Sequence, residues 1–500
     1  MKPTWSWYVA AAILLASLVC GAKAASQPVS EHRCGDSVCE KSETAQSCLA
    51  DCAAQAAMPL ADQPYWPSFA YDRRNTGRSP HTGPLSARIA WTYPAPKART
   101  INQQQTVDAD GTIYFATWGS VEGDELGHGM LYALNPDGSL KWTYDPGLPK
   151  DQVGTIETTV TIGPDGTLHF GRGDGVLYAV DPDGTKIWAF ETFSNTLRGQ
   201  IVSSPAIAGD GTIYFGTVCY PLLGMCVAGT NAFYALSPDG SLKWTYPEDA
   251  MEGGSLSHWV LCNPAIGDDG TVYFTSFRTL YAFYPNGQER WHYDAGDRLW
   301  TPTIGDDGTI YVQAFTYLAH GVVYAINSNG SLKWTYPVAE PQVSTIAVGA
   351  DGTLYFGSEA GRDAEDRQIG KLYALVDCGQ DCVQEKWPEP LDFGLGVGGP
   401  AIDAQGTIYV SLVGDLDASP PIPGRVVAVR DTGQSGEILW SVEANGEIWM
   451  GSPVVGSDST IYFADAMCRG TEECDEDTEV PSVYAVKAEQ FSIYLPIVLR

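Results

Sequence analysis

Eight times between Asp110 and Val486 the chain repeats one two-part pattern, and a repeat of fixed period constrains the architecture before any single residue constrains the function. The first part is a tight turn and a strand, Asp110-Gly-Thr-Ile-Tyr-Phe, with further copies starting at Asp165, Asp210, Asp269, Asp307, Asp351, Gln405 and Asp458. The second part is Leu131-Tyr-Ala-Leu-Asn-Pro-Asp-Gly-Ser-Leu-Lys-Trp. Close copies begin at Leu177, Phe233, Leu280 and Val323, and looser ones at Leu372, Val426 and Val483.

Each unit contains four short runs rich in β-branched and aromatic residues, bounded by Gly, Pro or Asp. In the third copy these are Ser204–Ala208, Thr212–Gly216, Phe233–Leu236 and Leu242–Tyr246. Asp-Gly-Thr and Pro-Asp-Gly suit tight hairpins, because Gly tolerates positive φ and Asp bonds its own backbone. Four antiparallel strands per unit of about 40–50 residues make a propeller blade. Fourth-strand tryptophans number eight: Trp91, Trp142, Trp188, Trp244, Trp291, Trp334, Trp387 and Trp440. Trp91 precedes the first full unit, and no tryptophan strand follows Val486. The reading is therefore an all-β, eight-bladed propeller in which the strand Ile89–Tyr93 completes the last blade and removes the open edges. The tryptophans are expected to dock blade on blade, since a buried indole contributes a large apolar area and needs one partner for its N–H.

The spacing from Ala133 to Trp142 and from Ala235 to Trp244, around Pro-Asp-Gly, resembles the tryptophan-docking repeat of the pyrroloquinoline-quinone (PQQ)-like propeller family, the quinoprotein alcohol dehydrogenase-like proteins. The lead-in Trp66-Pro-Ser-Phe and Asp72-Arg-Arg-Asn-Thr-Gly-Arg-Ser-Pro is similar to the start of many such secreted bacterial proteins. The resemblance spans Tyr65 to Lys487 and implies the fold; it implies activity weakly, because the family holds both dehydrogenases and non-catalytic scaffolds.

The N-terminus reads as a signal peptide over residues 1–24: Lys2, the apolar run Val9–Val19, and a small-x-small site at Ala22-Lys23-Ala24. Export makes disulfides the first reading of the cysteines. Cys219 with Cys226, Cys378 with Cys382, and Cys468 with Cys474 are close neighbours expected to staple local loops. Cys34, Cys39, Cys48 and Cys52 form a small module over 34–52, with three connectivities open. Its acids Asp36, Glu40, Glu43 and Asp51 are candidate Ca²⁺ ligands. Cys262 is left over and reads as a buried, inert thiol. Residues 53–63 are a linker, 65–488 the propeller, and 489–500 a tail too short to span a membrane.

The chain of 500 residues carries 60 acidic against 29 basic side chains, a formal net charge of −31. Such a surface repels nucleic acid and anionic membranes, so neither is an expected partner. The strands of a blade connect alternately on two faces of the disc. Links one-to-two and three-to-four are short, near-identical turns. Links two-to-three vary, with long examples at Trp118–Gly129, Cys219–Asn231, Ser358–Lys371, Gly414–Gly424 and Asp465–Pro481, and the four-to-one link Glu248–Cys262 shares their face. Variable loops on a rigid frame carry function, so a site is expected on that loop-rich face.

A quinoprotein centre there would need a flat stacking partner, cations for the quinone carboxylates, oxygen ligands for Ca²⁺ and a carboxylate base. Candidates near the starts of inner strands are Glu157, Arg198, Asn263, Arg298 and Trp300. The chain departs from the alcohol-oxidising members, for it has no adjacent Cys-Cys pair and no Cys-x-x-Cys-His for a c-type haem. Its seven histidines show no ligand spacing, and His169 occupies the tyrosine slot of a repeat strand, a core position. The reading from sequence is a secreted or periplasmic, monomeric, non-catalytic propeller that binds a protein or glycan through its loop-rich face, with no catalytic residue, no membrane insertion and no cofactor. The alternative is a PQQ- and Ca²⁺-dependent dehydrogenase of alcohols or sugars.

Overall fold

A computed structural model describes residues 66–489, apart from 96–97, 99, 102–103, 118–128, 148–153, 193–198, 219–230, 249, 251–255, 257–259, 316–319, 360–368, 416–420, 449–450 and 466–479. Eight antiparallel sheets form the ring, each running from an innermost to an outermost strand. Blade 1 comprises Thr106–Val107, Ile113–Ala116, Leu131–Leu134 and Leu140–Tyr144, and blades 2 to 7 follow the same order along the chain. Blade 8 takes Val454–Val455, Ile461–Ala464 and Ser482–Lys487 from the C-terminal end and Arg88–Pro94 as its outermost strand, with Trp91 opposite Ala485. The ring thus closes by the strand the tryptophan count called for.

Every repeat tryptophan is held on two sides. On its own blade it tilts against the aromatic of the second strand, with ring centroids 5.6–5.9 Å apart in all eight copies. Five of them, Trp91, Trp142, Trp188, Trp244 and Trp291, lie on the next blade over the glycine of the three-to-four turn: a Cβ on Gly240, whose φ is +81°, would come within 2.7 Å of the Trp188 ring. Gly is needed there for both the backbone conformation and the close approach. The indole N–H then donates to that turn, Trp188 to the Pro238 carbonyl at 3.1 Å and Trp244 to Pro285 at 2.8 Å. At the seam Trp440 donates instead to the Pro84 carbonyl at 2.8 Å, so the chain leading into the closing strand stands in for a hairpin turn.

Two further joints depart from this pattern: Trp387 donates to the Asp431 carboxylate at 2.9 Å rather than to a turn carbonyl, and the joint of blades 5 and 6 is rebuilt. The three-to-four turn of blade 6 is Cys378-Gly-Gln-Asp-Cys382, closed by the expected disulfide. The buried Trp334 finds no acceptor for its N–H. The turn docks on blade 5 by other means: Asp381 N–H donates to Lys333 O at 2.9 Å, and the Gln380 amide donates to the carbonyls of Leu332 and Lys333. The fourth strand of blade 6 is also split, Cys382–Glu385 and Leu391–Asp392, because Pro388 and Pro390 between the pieces lack the N–H a ladder needs.

The lead-in segment threads the inner rim on the short-turn side. Backbone N–H groups at the ends of innermost strands donate to it in order around the ring: Ile162 to Pro67 O, Ile266 to Arg73 O, Ile304 to Arg74 O, Val348 to Thr76 O and Ile402 to Gly77 O, while Trp66 pairs with Val107. Asn75, at φ +58°, bridges blades 4 and 5 by donating to the carbonyls of Pro264 and Pro302. This strap covers backbone edges that would otherwise stay unpaired at the centre of the disc.

The two kinds of joint make a measurable difference. Trp244→Phe removes an indole hydrogen bond and should cost about 1 kcal/mol, whereas Trp334→Phe removes a donor that has no acceptor and should be neutral or stabilising. Chemical-denaturation midpoints of the two variants check this; equal losses would contradict it.

Candidate functional site

The repeat consumes its own charged groups on the short-turn face. In each Asp-Gly-Thr turn the aspartate Oδ1 accepts the threonine N–H, for example 2.8 Å from Thr112 to Asp110 and 3.0 Å from Thr353 to Asp351. Except in blade 2, where Ile187 precedes the tryptophan, its other oxygen takes the lysine or arginine before the docking tryptophan: Lys141 to Asp110 at 3.1 Å, Arg290 to Asp269 at 2.8 Å, Lys386 to Asp351 at 2.7 Å. A β-bulge opposite the Tyr-Ala strand lets the cation reach that far, as at Lys243 between Leu242 and Trp244. For Asp307 and Asp351 burial opposes the charge, but the hydrogen bonds from threonine and lysine win and hold the carboxyls below the ordinary carboxylate range. These acidic turns are thus parts of the frame.

The strap closes that side. Arg73 pairs with Asp268 at 3.0 Å, and Arg74 and Arg78 meet Asp306 at 2.9 and 3.1 Å. A cavity of about 310 Å³ lies between the strap and blade 7, lined by Tyr71, Asp72, Arg78 and Asp403 among others. Its acids are committed: Asp72 accepts from Arg74 N, Thr76 N and Thr76 Oγ1, and Asp403 from Gly83 N, Thr407 N and Tyr409 Oη.

On the loop-rich face the Tyr-Ala tyrosines pin links, two between blades and one within blade 8. Tyr324 donates to Asp297 at 2.7 Å, Tyr373 to Glu340 at 2.6 Å and Tyr484 to Asp465 at 2.7 Å. Glu340 is buried, yet the Tyr373 hydroxyl and Lys371, 3.1 Å away, hold its carboxyl below the usual range. Asp465 has no cation beside it among the described residues, and burial pushes its carboxyl up despite donors from Tyr484, Ser482 and Gly446.

Four of the five quinone candidates lie within the described residues. Glu157 lies four residues before the inner strand of blade 2, Thr161–Ile162, accepts from Thr155 Oγ1 at 3.1 Å, and is pushed up in pKa by desolvation. Asn263 belongs to the frame. Its amide oxygen accepts the Ser204 N–H at 2.6 Å and its own N–H donates to Thr301 Oγ1, continuing a chain that links Thr159 to Ser204 and Thr303 to Ile346 between inner strands. Arg298 and Trp300 do come together, the guanidinium 4.9 Å from the indole centroid. Arg198 lies outside the described residues, as do Asp36, Glu40, Glu43 and Asp51, the Cys34, Cys39, Cys48 and Cys52 module, and the pairs Cys219 with Cys226 and Cys468 with Cys474. A quinone with Ca²⁺ needs a second flat wall and a cluster of oxygen ligands. The described residues do not assemble that set: Asn263 is engaged in the ring, and no group of three His, Cys, Asp or Glu side chains gathers among them. Cys262 is buried against Leu299 and its thiol is pushed up to about 11 by desolvation, which makes it inert at neutral pH.

Sequence reasoning missed the neighbours of Trp300. Blade 4 turns from its second to its third strand through Phe277 and Arg278 alone, and the Leu299 N–H donates to Phe277 O at 2.7 Å. The signal was present as a two-residue gap without Gly or Asn between Val272–Ser276 and Thr279–Phe283.

His169 confirms its core slot, packed against Trp188 with both ring nitrogens buried and unpartnered. Desolvation lowers its pKa to about 4. A base with a folded pKa below its unfolded value keeps its full stability above the unfolded value, near 6.5, and loses it as pH falls toward 4. His169→Tyr should therefore abolish up to about 3 kcal/mol of acid-induced loss over that window. Thermal midpoints at pH 7 and pH 4.5 check this; an unchanged pH dependence would contradict it.

The family model described as outer membrane protein assembly factor BamB matches residues 127–260 and 229–390, together more than half of the chain. No curated protein matches the sequence. Among solved structures, quinohemoprotein alcohol dehydrogenase from Comamonas testosteroni is similar at 16% identity and a TM-score of 0.63, over 90% of this chain and 85% of that one. Europium-containing methanol dehydrogenase is similar at 14% identity and 0.58, over 87% and 99%. The Dos1 propeller is similar at 12% and 0.54, over 82% and 97%. At such identities the likeness is one of fold.

Proposed function

We propose that this chain, which belongs to the PQQ-like β-propeller family, is an exported, non-catalytic binding protein that takes a protein or glycan partner on its loop-rich face. The observation that carries the reading is the commitment of everything else. The short-turn face is occupied by the strap and by the ion pairs of the repeat, and the tryptophans are spent on the joints between blades. The two-to-three links leave from strand ends on the opposite face. The long ones, within Trp118–Gly129, Cys219–Asn231, Ser358–Lys371, Gly414–Gly424 and Asp465–Pro481, lie largely outside the described residues, and variable links on a rigid frame carry function. Propellers of this shape include both the dehydrogenases above and a propeller domain that bears no oxidoreductase name, so fold alone favours neither class. The departures in sequence favour binding: no adjacent cysteine pair for a quinone to stack on, and no haem-attachment motif to pass electrons onward. The disulfide at Cys378–Cys382 supports an oxidising compartment and hence export.

The test is a spectral titration of the full chain with PQQ and Ca²⁺, followed by a dye-linked oxidation assay on alcohols and aldoses. The expected result is no saturable quinone spectrum and no turnover. Saturable binding with turnover would replace this reading by the dehydrogenase.

A further inference from the structure

The joint between blades 5 and 6 is closed by a device found at no other joint among the described residues. At the other seven, the indole N–H of the docking tryptophan donates across the joint, to a backbone carbonyl or, from Trp387, to the Asp431 carboxylate. Trp334 is buried with its N–H unpartnered, and no turn glycine lies against its ring. The contacts that tie blade 6 to blade 5 here come instead from the stretch 377–385. Asp377 accepts from Lys333 Nζ and from Tyr311 Oη, each at 2.8 Å, and Glu385 accepts from Tyr336 Oη at 2.6 Å. Between them the Cys378–Cys382 loop brings Gln380 and Asp381 to the carbonyls of Leu332 and Lys333, and Gln380 Oε1 accepts from Asn327 at 3.2 Å.

The disulfide sits at the neck of that loop. Inside it, Gly379 stands at φ +114° and Asp381 at φ +56°, conformations that an open chain leaves readily. A cross-link around so short a loop removes the alternatives, so Gln380 and Asp381 are kept facing blade 5. Strand pairing adds little beyond it, because the fourth strand runs only from Cys382 to Glu385 before Pro388 and Pro390 interrupt it. Toward blade 7, blade 6 is fixed separately: Lys386 and Trp387 both reach Asp431, at 2.7 and 2.9 Å. The bond is also open to attack. Cys378 is exposed and Cys382 half-buried at the rim of the short-turn face, whereas Cys262 is buried.

We infer that Cys378–Cys382 is a site of exchange with an external dithiol, and that its reduction unlatches blade 6 from blade 5 while the other joints stay closed. The dithiol's thiolate attacks the more exposed sulfur, Cys378 Sγ; the Sγ–Sγ bond breaks, and Cys382 leaves as a thiolate and takes a proton. The second thiol of the reductant then displaces Cys378 Sγ from the mixed disulfide. The dithiol ends as a disulfide, and the two cysteines end as thiols. This latch lies on the short-turn rim and is independent of what the loop-rich face binds.

Hydrogen exchange of the full chain with and without dithiothreitol, a small neutral dithiol, tests the inference, and peptide-resolved alkylation reports which cysteines are reduced. Cys378 and Cys382 are expected to become alkylated in the folded chain, with exchange over 331–336 and 377–385 quickened about tenfold or more. Exchange around Trp188 and Gly240, and around Trp387 and Asp431, should stay unchanged. The double variant Cys378→Ser, Cys382→Ser should exchange fast at this joint without reductant and no faster with it, which separates this pair from the other cysteines. If that variant fails to fold, the dithiol series on the unaltered chain decides alone. A pair that stays oxidised in excess dithiothreitol, a reduced pair that leaves 331–336 as protected as before, or quickening at every joint alike would overturn the latch.

Discussion

An indole clamped between two blades is the contact on which the rest of this ring depends. One side of each docking tryptophan meets the aromatic of its own second strand, and in five of the eight the other side meets a turn glycine and an acceptor in the next blade. No blade can bury its tryptophan alone, so stability is shared between neighbours and a partial ring would leave one large apolar side chain exposed. Closure by Arg88–Pro94 follows from the same need, because it supplies Trp91 to Tyr462 on one side and to the Gly138 turn on the other. Where the clamp changes, at blade 6, a disulfide-closed turn and the Gln380 amide replace the missing acceptor.

That clamp divides the two faces. The turns that receive the indoles must stay short and uniform, and their aspartates, threonines and lysines form a closed hydrogen-bonded set. The strap adds a second commitment on that side by capping the inward-facing donors of the innermost strands. Length and chemistry can vary only on the opposite face. There the third-strand tyrosines hold the links at fixed heights through Asp297, Glu340 and Asp465, so several acids that look available in sequence are anchors.

Much of the frame was legible in sequence because it is periodic: the blade count, the docking role of the tryptophans, the closing strand and the core slot of His169 all follow from position within a repeat, and the Cys378–Cys382 staple from the closeness of its two cysteines. The strap was legible as a lead-in segment but its course was not, since backbone bonds from Trp66 to Ser79 tie it to six different blades and backbone bonds leave no residue pattern. Asn263 drew attention as a polar residue at the start of an inner strand, yet its amide oxygen serves Ser204 of the neighbouring blade, a contact some 60 residues away in sequence. Arg298 and Trp300 were named as a pair of residue types; that they stack, and that Phe277 and Arg278 stand beside them, is a matter of how blade 4 abuts blade 5.

The ring is written in the amino-acid order: eight copies of a turn-and-tryptophan unit with a spare tryptophan strand at one end and a missing one at the other admit one closed solution. Local turn chemistry and burial of an indole act within a few residues or between adjacent units, and both are written in the repeat. Which polar groups are spent and which stay exposed is settled by the closed disc. Closing the disc sets residues from distant units side by side, and a side chain's availability depends on those neighbours rather than on its own identity.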